Sequence, residues 1–302
     1  MPTSGNVPKH LVVGARTGFL TAVKDYGGRF AWPRLAVTVN MDAKAVDLVD
    51  LGAAPMPVED LARQVQDFIE KTKEVKPRDW NLLTWVSYNS VKDDQTGMLE
   101  RKVRQAGRNF QRHINKRVFT VLNGGDGTTY GSCYDSQDFF DSDHVDQGAH
   151  YATAQDNEGA LALSIDNFNT AWEAAQLFMD DQGEYTEYDY DLLVCPPALY
   201  REAKNIVANE WAYDTANREI NPFKDLLTSP LLTSPHLDST AWYLIASSEE
   251  VKPLILCMRE QPNLQEAWFD PLAADGGRYY FKFFGRYEVH YGDWRLAYQG
   301  NT

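Results

Sequence analysis

The chain has 302 residues, 43% of them hydrophobic and 24% charged, a globular composition that excludes disordered, collagen-like and low-complexity classes. A chain of this length buries a substantial core in one large domain or two ordinary ones. The formal net charge of −14 argues against a dedicated nucleic-acid binder.

Targeting signals and metal-like cysteine patterns are absent from the sequence. No apolar run approaches the roughly 18 residues that a membrane helix needs, and residues 1–14 lack a signal peptide's cationic start and apolar block. We therefore expect a soluble protein made in the cytoplasm. Cys133, Cys195 and Cys257 cannot all pair and none lies in a CxxC motif, so neither a disulfide framework nor a zinc site is predicted.

The first part of the chain is predicted to begin as an irregular arm. Prolines and glycines interrupt residues 1–30, which indicates a segment with little packing of its own. The elements predicted after it are strands at 35–39 and 45–49, a break at 51–57, a helix at 58–73 and a strand at 80–91.

Residues 98–122 have the clearest helical pattern in the chain. Apolar side chains recur there every three or four residues, residues 94–97 can cap the start, and Asn-Gly-Gly-Asp-Gly at 123–127 ends it. Arg104, Arg108, Arg112 and Lys116 are four residues apart and therefore share another face of this helix. With Arg101 they form what we call the basic stripe.

The second half is predicted to alternate between helices and strands, and it ends in a strand region with strict polar and apolar alternation over 278–291. Gly285 interrupts that alternation, which indicates a bend. The elements predicted before it are a polar loop at 135–154, helices at 164–179 and 196–211, and strands at 190–194, 241–246 and 253–258. The aromatic residues of the C-terminal region fit a core face better than a sugar-stacking platform.

Charge is distributed very unevenly. No Lys or Arg occurs between Arg117 and Arg201, residues 135–191 hold fifteen acidic residues, and residues 101–117 hold seven basic residues and no acid. This asymmetry predicts two surfaces that face different surroundings. Like charges four residues apart on a helix cost a few tenths of a kcal/mol each, so the basic stripe favours an external anion. DNA and the carboxylates of an adjacent subunit both qualify.

The motifs for catalysis are weak. Residues 135–144 offer Asp138, Asp141, Asp143 and His144 as oxygen and nitrogen ligands for Ca²⁺ or Mg²⁺, but they lack the spacing of a calcium loop, so a solvated acidic loop is the better interpretation. No Gly-x-Ser-x-Gly motif is present, and the glycines at 123–127 close a helix instead of opening one as a phosphate loop does. We predict no catalytic residue, no metal site and no cofactor.

Seven short motifs, in order, resemble the Mu-type major head subunit (gene product T) of tailed bacteriophages and related prophages. They are LGAAPMP at 51–57, VKDDQTG at 91–97, DFFDSDH at 138–144, LLVCPP at 192–197, WYLI at 242–245, PLILCMREQP at 253–262 and YGDWRLAY at 291–298. Together they span about residues 51–300.

The resemblance implies an α+β protein with the Hong Kong 97-type capsid fold. Its parts would be an N-terminal arm and lead-in (1–44), an E-loop hairpin (45–93), a peripheral domain (94–160) with a spine helix at 98–122, a mainly axial domain (161–250), and C-terminal strands returning to the peripheral domain (251–302). In this fold the spine helix lies toward the shell interior. The basic stripe would then face packaged DNA or a neighbour's acids, with the segment 135–191 on the outer or axial side.

The implied function is structural. A major capsid protein assembles with itself into hexamers and pentamers of an icosahedral head that encloses double-stranded DNA, with a separate scaffold and with portal and decoration proteins as further partners and no membrane. Two alternatives stay open: a nanocompartment shell of the same fold, and an acidic divalent-metal hydrolase that uses Asp138, Asp141, Asp143 and His144.

Overall fold

The computed structural model describes residues 7–43, 45–50, 71–94, 97–145, 154–180, 183–211, 220–224, 226–227, 231–273 and 276–302. The helices of this part are α1 (Lys9–Gly27), α2 (Tyr88–Lys92), α3 (Met98–Asn123), α4 (Ile165–Gln176) and α5 (Tyr200–Ala208). Its strands are β1 (Ala36–Asn40), β2 (Val46–Asp50), β3 (Lys71–Val75), β4 (Arg78–Ser87), β5 (Glu158–Gly159), β6 (Leu192–Cys195), β7 (Leu231–Thr233), β8 (Trp242–Ile245), β9 (Leu254–Asp270), β10 (Arg278–Tyr291) and β11 (Ala297–Gly300).

The irregular structure predicted for residues 1–30 is wrong over 9–27, because these 19 residues form the helix α1; residues 1–6 lie outside the described part of the chain. Ala15, Phe19 and Ala22 are buried along one side of it, at helical spacing. Gly14 and Gly18 lower the intrinsic helix propensity by about 1 kcal/mol each relative to alanine. Packing of the apolar side against α3 offsets that cost, which is the usual source of helix stability in a folded protein.

The first sheet has the strand order β1-β9-β10-β4, in which β1 runs parallel to β9 and the other pairs are antiparallel. The predicted alternation is confirmed on β10, where Tyr279, Phe281, Phe283 and Tyr287 are all buried. At Gly285 the register against β9 shifts, as the interrupted pattern predicted. The buried face of this sheet packs against α1 and α3, since Phe19 stacks on Phe283 with ring centroids 4.4 Å apart.

The second sheet has the order β5-β11-β8-β6-β7. Strands β6 and β8 are buried at every position, so their sequences are continuous apolar runs without alternation. Helices α4 and α5 pack on this sheet. Strand β11 pairs with β8 in this sheet, whereas β9 and β10 belong to the first sheet.

The remaining predictions are confirmed in part. Strands β2 and β3 pair antiparallel. The predicted break at 51–57 and most of the helix predicted at 58–73 lie outside the described residues. The last three positions of that predicted helix, 71–73, belong to strand β3. The strand predicted at 80–91 ends at Ser87, whose hydroxyl accepts from the Ser90 backbone N–H and starts α2. The helix predicted at 196–211 is shorter, with a 3-10 turn followed by α5.

Candidate functional site

The long helix α3 forms the axis of the candidate surface. Its 26 residues span about 39 Å at 1.5 Å per residue. Both carboxylate oxygens of Asp94 accept backbone N–H groups of the first turn, from Met98 and Leu99 at 3.0 Å each, and satisfy donors that the helix leaves open. The predicted cap and helix are therefore confirmed. Val103, Phe110, Ile114 and other apolar residues face the core.

Helix α1 lies beside α3 and runs in the same direction. Gly18 lies against Val103 and Arg104, and Gly27 lies against Gln111. At the closest approach a Cβ on Gly107 would stand 2.8 Å from the backbone oxygen of Phe19. Only glycine allows this contact, so Gly107 sets the distance between the two helices. Gly107 was not among the residues predicted to matter, although a glycine on the apolar face of an otherwise strong helix indicates close packing against a neighbour.

The structure divides the basic stripe into two groups. Arg104 pairs with Asp25 of α1 at 3.4 Å and with Glu100 at 3.8 Å, and the Arg108 guanidinium lies 5.3 Å from the ring centre of Tyr26. The other three, Arg101, Arg112 and Lys116, are exposed and form no ion pair within the described part of the chain.

Arg117 follows the stripe but has a different role. Its guanidinium donates twice to one Glu288 oxygen, at 2.7 and 3.1 Å, and Glu288 is 3% exposed. Arg78 approaches the other carboxylate oxygen of Glu288 at 3.2 Å. Because both partners of the Arg117–Glu288 pair are largely withdrawn from water, this pair ties α3 to β10 and adds no charge to the exposed surface.

Helices α1 and α3 together concentrate positive charge. We call residues 7–34 and 98–123 the basic layer. They hold twelve of the 29 Lys and Arg residues and only two of the 43 Asp and Glu residues. Lys9, Arg16 and Lys24 on α1 are exposed like the free members of the stripe. The positive potential of the basic layer also reaches His236, in the loop after β7. The pKa of His236 is lowered, first by burial and then by the nearby positive charges of Lys116 and Arg112.

The candidate metal ligands of residues 135–144 do not converge on one point in the described structure. His144 is completely buried, its Nδ1 is 2.6 Å from Asp135 Oδ2, and its ring stacks on Trp294 at 4.0 Å. His144 therefore holds the loop against the C-terminal segment. Across the described ranges no three His, Cys, Asp or Glu side chains group closely enough for an ion.

The cysteines have no environment that would activate them. Cys133, Cys195 and Cys257 are free and buried, and burial raises the pKa of the Cys195 and Cys257 thiols to about 12. A buried thiol in apolar surroundings is a poor nucleophile. This confirms the interpretation of Cys195 and Cys257 as small hydrophobic core residues.

Comparison with known protein families decides the class of protein. The model of a family described as phage capsid protein matches residues 69–298. The chain belongs to the phage capsid protein family. The matched region runs from just before β3 into β11, and α1 precedes it. No curated protein matches this capsid protein by sequence, and among its described helices none is long and apolar enough to cross a membrane.

Solved structures show the same fold. The procapsid of bacteriophage JBD30 matches with a TM-score of 0.56 and 18% identity, over 98% of this chain and 76% of that one. The capsid of JBD30 gives 0.59 and 17% over 69% and 91%. A virus-like particle from Pyrococcus furiosus gives 0.53 and 13% over 95% and 97%. The capsid protein therefore has the α+β, Hong Kong 97-type fold that the motifs implied.

Proposed function

We propose that this capsid protein is the major head subunit of a Mu-type tailed phage. It assembles with itself into hexamers and pentamers of an icosahedral shell, and the basic layer lines the inner surface against double-stranded DNA. The observation that supports this most directly is the basic layer itself. A chain with a net charge of −14 exposes Arg101, Arg112 and Lys116 without ion pairs among the described residues. Such a surface fits an anion outside the subunit.

The proposed contact with DNA is independent of base sequence. The free stripe residues lie four or more positions apart along one helix, and their neighbours on α1 add further positive side chains. An array of this kind neutralises phosphates and releases counterions, so its affinity depends steeply on salt. Base recognition would instead need side chains that enter a groove and contact base edges. Packaging DNA of any sequence requires contacts that neutralise phosphates and does not require base recognition.

The proposed parts of the subunit follow the expected order. Residues 1–44, with α1, serve as arm and lead-in, 45–93 as the E-loop region, 94–160 as the peripheral domain, and 161–250 mainly as the axial domain. The pair β2 and β3 forms a separate two-stranded sheet. Such a hairpin is marginally stable on its own, which favours cover from a neighbouring subunit. We propose a scaffold, a portal and decoration proteins as further partners, assembly in the host cytoplasm, and no catalysis.

A nanocompartment shell is the second candidate. It is favoured by the match to the virus-like particle from Pyrococcus furiosus, whose chain is covered to 97%. A shell that encloses protein cargo does not require a phosphate-binding inner surface, and the basic layer therefore favours the phage head. Mass spectrometry of purified particles separates the two, because a single abundant enzyme inside DNA-free shells would support the nanocompartment.

The test of the phage head combines imaging with DNA binding. Cryo-electron microscopy of assembled shells is expected to show hexamers and pentamers with α3 toward the interior. A reconstruction with the basic layer on the outer surface would overturn the DNA assignment.

The matched variants are an R101Q, R112Q and K116Q triple and a control triple, K92Q, K204Q and K224Q, at exposed lysines outside the basic layer. The first is expected to make the dependence of log affinity for random duplex DNA on log salt shallower by about 2.7, at about 0.9 per lost phosphate contact. The control is expected to leave the slope close to that of the wild type.

A further inference from the structure

A cavity of about 430 Å³ lies where the loop after α3 meets the edge of the second sheet. Its lining includes Asp126, Ser142, Asp156, Glu158 and Gln299. We call this cavity the acidic pocket. Its lining residues lie outside the basic layer, and neither the shell fold nor the proposed DNA contact requires the pocket.

The walls of the acidic pocket are held in place by paired backbone. In the parallel pairing of β5 with β11, Glu158 is the direct partner of Gln299, and direct partners project to the same side of a sheet. Asn157, which is completely buried, donates to the Phe139 carbonyl at 2.9 Å and accepts from the Asp141 N–H at 3.0 Å. The carboxylates therefore stand on a fixed frame and not on a loose loop.

The carboxylates of the pocket repel one another. Burial raises the pKa of Glu158, and the nearby Asp156, Asp141 and Asp126 raise it further. None of Asp126, Asp156 and Glu158 forms an ion pair with a Lys or Arg of the described ranges. The negative charge of this pocket is thus left without a cation from its own described chain.

Gln299 supplies an independent sign of a ligand. The residue is 3% exposed, lines the pocket, and its Oε1 has no hydrogen-bond partner among the described residues. A buried amide oxygen without a donor costs about 1–3 kcal/mol. A donor brought into the pocket next to Glu158 would satisfy this oxygen and a carboxylate together.

The distribution of acceptor oxygens along the pocket indicates whether its ligand is a metal ion or a cationic nitrogen group. A bare Ca²⁺ needs six to eight oxygens around one point, yet no three acidic side chains in the described structure converge on one position. Ammonium and guanidinium groups instead present several N–H donors that point in different directions. They match acceptors distributed along a pocket wall and form charge-assisted hydrogen bonds with carboxylates.

We propose that the acidic pocket binds a cationic nitrogen group, an ammonium or a guanidinium, supplied by a free polyamine or by a Lys or Arg side chain of a second copy of this chain. Glu158, Asp126 and Asp156 provide the charge, and Gln299 Oε1 accepts a hydrogen bond. The free-polyamine source is independent of shell assembly, whereas the second-copy source rests on it.

The first experiment measures binding to the purified full chain. Spermidine is titrated by calorimetry at low salt, with MgCl₂ and CaCl₂ at equal ionic strength as competitors. Spermidine is expected to bind the wild type, and E158Q and D126N are each expected to weaken binding about tenfold. The control E184Q makes the same charge change at an exposed glutamate outside the pocket and is expected to bind like the wild type. Far-UV circular dichroism checks that every variant is folded.

The second experiment identifies the source. Shells assembled without polyamine are imaged, and side-chain density of a neighbour's Lys or Arg in the pocket supports the second copy as donor. Tight Ca²⁺ or Mg²⁺ binding that depends on Glu158 and displaces spermidine would overturn the proposal in favour of a metal site. The proposal also fails if spermidine does not bind and assembled shells leave the pocket without a basic group. Either failure leaves the DNA assignment of the basic layer unaffected.

Discussion

The basic layer and the acidic pocket hold charges of opposite sign, and they differ in geometry: the first is an array along a helix and the second is a pocket. On α3 the charges stand on a regular helix at spacings of three or four residues, and three of the five stripe residues are exposed without an ion pair in the described ranges. In the pocket the charges stand on short loops and strand ends, Asp126 and Asp156 are exposed, and the partial burial of Glu158 raises its pKa. An exposed array suits a long polyanion that binds through many weak contacts, whereas a pocket suits one compact cation.

The comparison also separates charges that stabilise the subunit from charges that serve other molecules. Arg117 and Arg112 belong to the same helix, yet only Arg117 reaches a buried carboxylate. Glu158 and Glu288 are both acidic and at least partly buried, yet only Glu288 is neutralised by described basic residues. Paired charges should therefore govern unfolding, and unpaired charges should govern binding.

The largest effect is expected from R117M. Removal of this guanidinium leaves the buried Glu288 with Arg78 as its remaining ion-pair partner among the described residues, and breaking a buried pair in this way costs about 3 kcal/mol in the free energy of unfolding. The matched variant R112M removes an exposed arginine and is expected to change that free energy by less than about 0.5 kcal/mol. Urea denaturation measures both. Equal losses for the two variants would refute the division between paired and unpaired charges.

A smaller loss is expected from G107V at the contact between α1 and α3. The added Cβ meets the Phe19 backbone oxygen at 2.8 Å, and forcing atoms into such a contact costs about 2 kcal/mol. G14A adds a methyl group where no atom of the described residues lies within 4 Å and is expected to stabilise α1 by about 0.5–1 kcal/mol. Thermal unfolding checks the opposite signs. A G107V chain as stable as the wild type would show that the basic layer is not closely packed.

The smallest effect concerns Glu158 and pH. Because burial and neighbouring acids raise its pKa in the folded chain above the unfolded value, the folded state binds the proton more tightly. Its ionised form therefore destabilises the fold at neutral pH, and this penalty disappears as pH falls through the raised pKa. E158Q is expected to stabilise the chain at pH 7 by less than about 1 kcal/mol, after solvent screening, and the gain should shrink toward pH 4.5. Melting curves from pH 4.5 to 8 test this, and an unchanged difference across that range would contradict it.

The sequence predicted elements whose evidence is local. The apolar spacing of α3, the alternation on β10 and the cap at Asp94 each depend on residues within a few positions of one another, and each is confirmed. The five members of the basic stripe were identified for the same reason. Their separation into paired and free residues was not predictable, because Asp25 and Tyr26 approach α3 only through tertiary packing.

The acidic loop at residues 135–144 shows that closeness in sequence does not ensure that side chains meet in one site. Its residues Asp138, Asp141, Asp143 and His144 were candidate ligands because they are close in sequence, yet His144 is directed to Asp135 and Trp294 in the core. The pocket that does form joins Glu158 to Gln299 through strand pairing. No sequence pattern short of the fold itself indicates which distant polar residues a sheet edge brings together.

By itself, the sequence determined the uneven charge, the long helix, the alternating strand and the ordered motifs of a capsid protein, because composition, periodicity and short motifs are properties of neighbouring residues. Only the tertiary structure decided that residues 9–27 are helical, that Arg117 pairs with Glu288 while Arg112 has no ion-pair partner in the described ranges, and that four acceptors line one pocket. Each of these depends on burial and on contacts between distant segments, which set the solvation and the partner of every polar group.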